Sequence, residues 1–129
     1  MSYDVFVFDP SIAPAERREF MAWYDDVVQW NGPHDYSDPA RLGQNLRAFY
    51  DALRTRFPPM NGPHADVLSW EDPEQERRLA EYSMTSAAIY IAFAPSVTGE
   101  ARAAVLEAAG RCGVGVLMVS DVEGRIVRP

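Results

Sequence analysis

The only two histidines of this 129-residue chain lie in identical tetrapeptides, Asn31–His34 and Asn61–His64. Imidazole and carboxylate groups together bind zinc or iron, so His34, Asp35, His64 and Asp66 could form a metal site. Two histidines leave the coordination sphere of such a metal under-filled, and neither is placed one helical turn from a second ligand. Glycine permits positive φ and proline cannot continue a helix. The pattern therefore favours turns that end two helices, and we predict no metal or cofactor.

Other catalytic patterns are weak in this sequence. Cys112 has no histidine nearby in the chain, and no serine lies in a Gly-x-Ser-x-Gly elbow. The glycine-rich run Gly110–Gly115 follows a predicted helix, so it does not aim a helix N-terminus at a phosphate. The sequence leaves enzymatic activity open and favours its absence.

The segment Trp23–Asp38 has the composition of a protein-binding surface. It contains four aspartates, two tryptophans and two tyrosines, and it has no basic residue. Aromatic anchors surrounded by charged groups are typical of binding hot spots, and acidic groups speed encounter with a basic partner. Trp23 and Tyr24 fall on a helical apolar stripe, so we assign them to the core. The predicted partner-binding residues are Asp25, Asp26, Trp30, His34, Asp35, Tyr36 and Asp38.

The charge balance restricts the class of partner and the location. With 19 acidic residues and 12 arginines the formal charge is −7, which argues against binding to nucleic acid. The N-terminal residues lack the pattern of a signal peptide, and no apolar run approaches the roughly 20 residues of a membrane-spanning helix. The single Cys112 cannot form an internal disulfide. We expect a cytoplasmic protein that does not bind membranes.

Apolar periodicity predicts one α+β domain over residues 1–129. A compact apolar run predicts the first strand, and two helical stripes, each following a proline, predict two helices. Two short apolar runs predict a hairpin, and the C-terminal part reads as helix, strand and brief edge strand. The predicted strands are Tyr3–Asp9, 81–85, 88–94, Gly115–Asp121 and 125–127; the predicted helices run from Pro14 to near Trp30, from Pro39 through Leu53 until Phe57–Pro63, from Asp72 through Leu79, and from the N-cap Thr98 to Gly113.

This order, without one extra helical insert, is β-α-β-β-α-β. It predicts a ferredoxin-like (split βαβ) antiparallel sheet with helices on one face. The other face of the sheet must then be covered by water, a partner or the insert.

The runs YDVFVFDP (3–10), FPPMNGP (57–63) and GVGVLMVSD (113–121) resemble a family of small bacterial proteins. Some members of that family are similar to immunity proteins that accompany secreted polymorphic toxins. The resemblance implies a cytoplasmic protein that blocks the active site of a toxin, and it carries over no catalytic residues.

Three functional hypotheses follow. The first is a non-enzymatic inhibitor that binds a protein partner through the Trp23–Asp38 segment, the partner being a toxin with a basic surface. The second is a ferredoxin-like dimer with a small-molecule or oxygenase-type pocket, lined by a tryptophan with Asn31, His34, Asn61 and His64. The third is a domain whose open sheet face serves homodimerisation.

Overall fold

The computed structural model describes residues 1–32, 35–65 and 71–129. Its described part contains a five-stranded open sheet in the order β2-β3-β1-β4-β5, with every neighbouring pair antiparallel. The sheet confirms the predicted α+β class, with β1 in the centre and the β2–β3 hairpin at one side. The strands are β1 (Tyr3–Phe8), β2 (Ala80–Met84), β3 (Ala88–Phe93), β4 (Gly115–Leu117) and β5 (Ile126–Val127).

Four α-helices lie among the described residues, with short 3-10 turns at Pro39–Arg41 and Pro95–Val97. Capping residues determine where these helices begin and end. The Glu16 carboxylate accepts a hydrogen bond from the backbone N–H of Glu19, and Gly113 ends the last helix with a φ of 72°. The helices are α1 (Arg17–Val27), α2 (Gln44–Leu53), α3 (Pro73–Glu76) and α4 (Thr98–Cys112).

Alternation along β1 divides the core between the two faces of the sheet. Val5 and Val7 point to a large apolar cluster that includes the buried faces of α2 and α4. Phe6 and Phe8 point the other way, into a smaller cluster covered by α1. Phe20 of α1 lies 4.8 Å from Phe8, measured between ring centroids. The sheet is therefore covered by two helices on one face and by one helix on the other.

Several predicted boundaries are wrong. The first helix begins at Arg17 and ends at Val27, inside the predicted limits, and α2 ends at Leu53. α3 ends at Glu76 and does not continue through Leu79, and β2 begins at Ala80. Thr98 is the first residue of α4, and Val97 is its N-cap.

The last long strand is also shorter than predicted. β4 ends at Leu117, although the Met118 N–H still donates to the carbonyl of Arg125. The chain then turns, with the N–H of Asp121 bonded to the carbonyl of Met118. Gly124, at a φ of 54°, leads back into β5, which confirms the predicted edge strand.

Candidate functional site

The acidic segment begins on the last turn of α1 and continues into the loop that follows. Asp25 and Asp26 are exposed on this turn. The backbone N–H of Trp30 donates to the carbonyl of Val27 at 3.4 Å, and Trp30 itself has a φ of 53°. It is the one non-glycine residue of the described chain with positive φ. The residue that takes the left-handed conformation after α1 is therefore a tryptophan.

Trp30 forms an aromatic cluster with Tyr36 and Tyr90, all three of them half-buried. Its ring centroid lies 5.1 Å from that of Tyr36 and 6.5 Å from that of Tyr90, and both pairs meet edge to face. The hydroxyl of Tyr36 accepts a hydrogen bond from the N–H of Gly32. Aromatic contacts and this hydrogen bond therefore hold the loop against the α1 side of the sheet.

Tyr90 connects this cluster to an acidic group on the central strand. Its hydroxyl donates to the Asp4 carboxylate at 2.6 Å. Burial, and then the Asp4 carboxylate, raise the pKa of Tyr90. Burial also raises the pKa of Tyr24, and the charges of Asp25 and Asp4 contribute to that increase. Asp4, Asp25 and the two tyrosines therefore share one electrostatic environment.

The acidic residues after Trp30 have different local roles. Asp35 is exposed, and its carboxylate accepts hydrogen bonds from the Ser37 hydroxyl at 2.6 Å and the Ser37 N–H at 2.9 Å. These bonds lower the pKa of Asp35, so it remains ionised. Asp38 caps the 3-10 turn by accepting from the Ala40 N–H at 3.0 Å. Asp38 thus has a structural task, as the N-cap of this turn.

Of the predicted binding residues, two meet in the aromatic cluster. Trp30 and Tyr36 are in contact, and Asp35 lies beside Tyr36 in the chain. His34 lies outside the described residues. Sequence reasoning missed two members of the site, Tyr90 and Asp4. Alternation in AIYIAF (88–93) places Tyr90 on the face opposite Ile89 and Ile91, and that pattern could have indicated it.

The second Asn-Gly-Pro-His lies along the free edge of β2. The side-chain amide of Asn61 donates to the carbonyl of Tyr82 at 2.7 Å, and its oxygen accepts from the Tyr82 N–H at 3.0 Å. His64 Nδ1 lies 3.1 Å from the hydroxyl of Tyr50. The side-chain amide of Asn61 is therefore hydrogen-bonded to the backbone of β2, and His64 is hydrogen-bonded to a side chain of α2.

Neighbouring backbone groups complete the protection of this edge. The Ala80 N–H donates to the carbonyl of Pro58, and the Met60 N–H donates to the carbonyl of Ala80. The Met84 N–H donates to the carbonyl of Tyr36 at 2.7 Å. The loop that contains Tyr36 and the loop that contains Pro58 and Met60 thus both form hydrogen bonds with the edge of β2. Without these bonds the edge would present unpaired backbone groups.

The two loops also touch each other. Gly62 has a φ of 78°, and a Cβ at this position would lie 2.6 Å from the carbonyl oxygen of Ser37. Glycine is required here by both its conformation and the space. The prediction that the second tetrapeptide ends a helix is wrong, because α2 ends at Leu53, well before the tetrapeptide begins at Asn61. The first also follows the end of its helix, at Val27.

Among the described residues, no group of three or more His, Cys, Asp or Glu side chains is placed so that it could hold a metal ion. His34 and Asp66, two of the four candidate ligands, lie outside them. Cys112 is half-buried and packs against the larger apolar cluster.

Comparisons with protein-family models, curated proteins and solved structures find no match for this chain. In the ranges 1–32, 35–65 and 71–129, none of the helices has the length and apolarity that a bilayer crossing requires.

Proposed function

We propose that this protein is a non-enzymatic inhibitor that binds a protein partner through the aromatic cluster and the aspartates around it. Its partner is a bacterial toxin with a basic surface, and the protein acts as a cytoplasmic immunity protein. The proposed surface consists of Asp25, Asp26, Trp30, His34, Asp35, Tyr36 and Asp38, extended by Asp4 and Tyr90.

The conformation of Trp30 is the observation that carries this proposal. A bulky residue with positive φ is a rare outlier, and the left-handed region costs about 1–2 kcal/mol for a residue that is not glycine. In Trp30 this conformation places the indole between Tyr36 and Tyr90 while leaving the side chain half exposed. Strained residues of this kind concentrate at binding sites.

The charges around the cluster favour a cationic partner. Within the described chain, Asp25, Asp26 and Asp35 form no ion pair within 4.0 Å, as is the case for most of the acidic residues. Their negative charge is therefore available to a partner. Unpaired acidic groups beside aromatic anchors give electrostatic steering together with apolar contact area.

We further propose that the fold is ferredoxin-like with an insert. The strand order β2-β3-β1-β4 supports this assignment, and so does the packing of α2 and α4 on the same face. In this interpretation α1 is the extra helix. It covers the sheet face that a ferredoxin-like fold without an insert leaves open. The helix that closes the second face also carries the proposed binding surface on its last turn.

Co-expression tests the proposal. The product of the adjacent reading frame should arrest growth of a bacterial host, and co-expression of this protein should restore growth. Asp35→Arg should abolish the rescue, since it places a cation opposite a basic surface. Glu107→Arg on α4 is the matched control, because Glu107 is exposed and lies on the other face of the sheet.

Rescue by both variants would reject the proposed surface. Failure of both variants at normal protein levels would also reject it, since the effect would not depend on the position of the charge. A neighbouring product that is not toxic and does not bind this protein would reject the immunity function itself.

A further inference from the structure

The end of α1 opposite to Trp30 carries a cluster of positive charge in this acidic protein. Arg17, Arg125 and Arg128 line a pocket of about 390 Å³ together with Ala15, Glu123 and Ile126. Three arginines and one glutamate among the lining residues give a formal excess of two positive charges, whereas the whole chain has a formal charge of −7. This pocket lies outside the proposed protein-binding surface.

These arginines differ from most others in the chain because no carboxylate neutralises them. Six arginines form ion pairs within 4.0 Å, but in the described residues none of these three does. All 12 basic residues of the chain are arginines, so the presence of arginine in place of lysine does not by itself indicate a binding site. The absence of a paired acid and the convergence on one pocket distinguish them.

Two of the three guanidinium groups are fixed in place by neutral contacts. Arg17 Nη2 donates to the carbonyl of Gly124 at 3.0 Å, and Arg128 Nη2 donates to the carbonyl of Pro14 at 2.8 Å. The Arg128 guanidinium also lies 5.3 Å from the ring centroid of Phe8, which is fully buried. A guanidinium has five N–H donors, so each keeps donors for a ligand.

We propose that this pocket binds the phosphate group of a small phosphate monoester. A monoester carries a charge of about −1.5 to −2 at pH 7 and has three strong acceptor oxygens, which matches the excess positive charge of the pocket. Arginine binds such groups through paired, charge-assisted hydrogen bonds. Because Arg17 and Arg128 are already held, little conformational freedom is lost on binding. Ala15 and Ile126 provide a small apolar wall for the organic part of the ligand.

Titration with inorganic phosphate tests the site, with sodium chloride at matched ionic strength as the reference and acetate as the carboxylate probe. The readout is the ¹H–¹⁵N spectrum of the full chain, in particular the amide of Gly124 and the Nε groups of the three arginines. Phosphate should give saturable shifts at these positions. Arg125→Gln should weaken binding about tenfold, the effect of one charge-assisted hydrogen bond.

Arg125 is the preferred variant because its guanidinium makes no ion pair or hydrogen bond within the described chain, so its replacement leaves the fold intact. Arg56→Gln, at an exposed position in the turn after α2 and outside the lining of this pocket, is the control and should leave the phosphate titration unchanged. Shifts that follow ionic strength alone, or equal affinity in Arg125→Gln and the native protein, would overturn the proposal. Saturation by acetate without saturation by phosphate would overturn the phosphate assignment. None of these outcomes depends on the partner-binding surface.

Discussion

The two Asn-Gly-Pro-His tetrapeptides are identical in sequence, but their described residues lie in different surroundings. In the second, the Asn61 side chain is bonded to the β2 backbone and Gly62 occupies the left-handed region against Ser37. Next to the first, the left-handed residue is Trp30, and Asn31 is exposed. The second copy satisfies the sheet edge, and the first stands in the sequence between Trp30 and Tyr36, two half-buried members of the aromatic cluster. Identical local sequence is thus used for stability in one place and, in our proposal, for binding in the other.

The largest effect is expected at Gly62. In Gly62→Ala, a Cβ would meet the Ser37 carbonyl at 2.6 Å, and alanine would also be forced to positive φ. The left-handed conformation and the overpacking together should lower the free energy of unfolding by about 2–4 kcal/mol. Urea unfolding measures this change.

Gly110→Ala is the matched control for that substitution. Gly110 lies in α4 with nothing within 4 Å of a Cβ, so alanine should stabilise the protein by about 0.5–1 kcal/mol. Equal effects of the two substitutions would show that the loop contact between Gly62 and Ser37 is unimportant.

The two asparagines test the difference between the copies directly. Asn61→Ala leaves the N–H and carbonyl of Tyr82 without their partners and should destabilise the fold by about 1–3 kcal/mol. Asn31→Ala, at an exposed position, should change stability by less than about 0.5 kcal/mol. Hydrogen exchange at the Tyr82 amide should accelerate only in Asn61→Ala. Similar losses in both variants would refute the assignment of the edge to the second copy.

The sequence predicted the α+β class, the β2–β3 hairpin and the edge strand, because apolar periodicity and turn residues are local signals. It did not predict the roles of the two tetrapeptides. The partner of Asn61 is Tyr82, 21 positions away, and such a side-chain contact has no local signature. For the same reason Tyr90 and Asp4, which lie on other strands, were not found with Trp30. Residues of the candidate site that are close in the chain were identified, and those joined by the sheet were missed.

A smaller difference in stability than those at Gly62 and Asn61 is expected at Trp30. Trp30→Ala and Trp30→Gly both remove the contacts with Tyr36 and Tyr90, but only glycine relieves the left-handed conformation. After subtraction of the greater entropy of the unfolded glycine chain, Trp30→Gly should be more stable than Trp30→Ala by about 0.5–1 kcal/mol.

At an ordinary helical position the order of stability should be reversed, with alanine more stable than glycine. Ala22 is exposed on α1, and Ala22→Gly should lower stability by about 1 kcal/mol. Thermal unfolding of the four proteins distinguishes the cases. If glycine is the less stable residue at both positions, Trp30 is not strained, and the observation that supports the binding surface is lost.

Isothermal titration calorimetry with the product of the adjacent reading frame measures whether Trp30 lies in the binding surface. We expect a complex that Trp30→Ala weakens by at least about 30-fold, as for a residue at the centre of a binding hot spot. Asn61→Ala, folded at the temperature of the measurement, should bind as the native protein does. A complex unaffected by Trp30→Ala, or one that Asn61→Ala weakens equally, would contradict the assignment of binding to the first copy and its aromatic cluster.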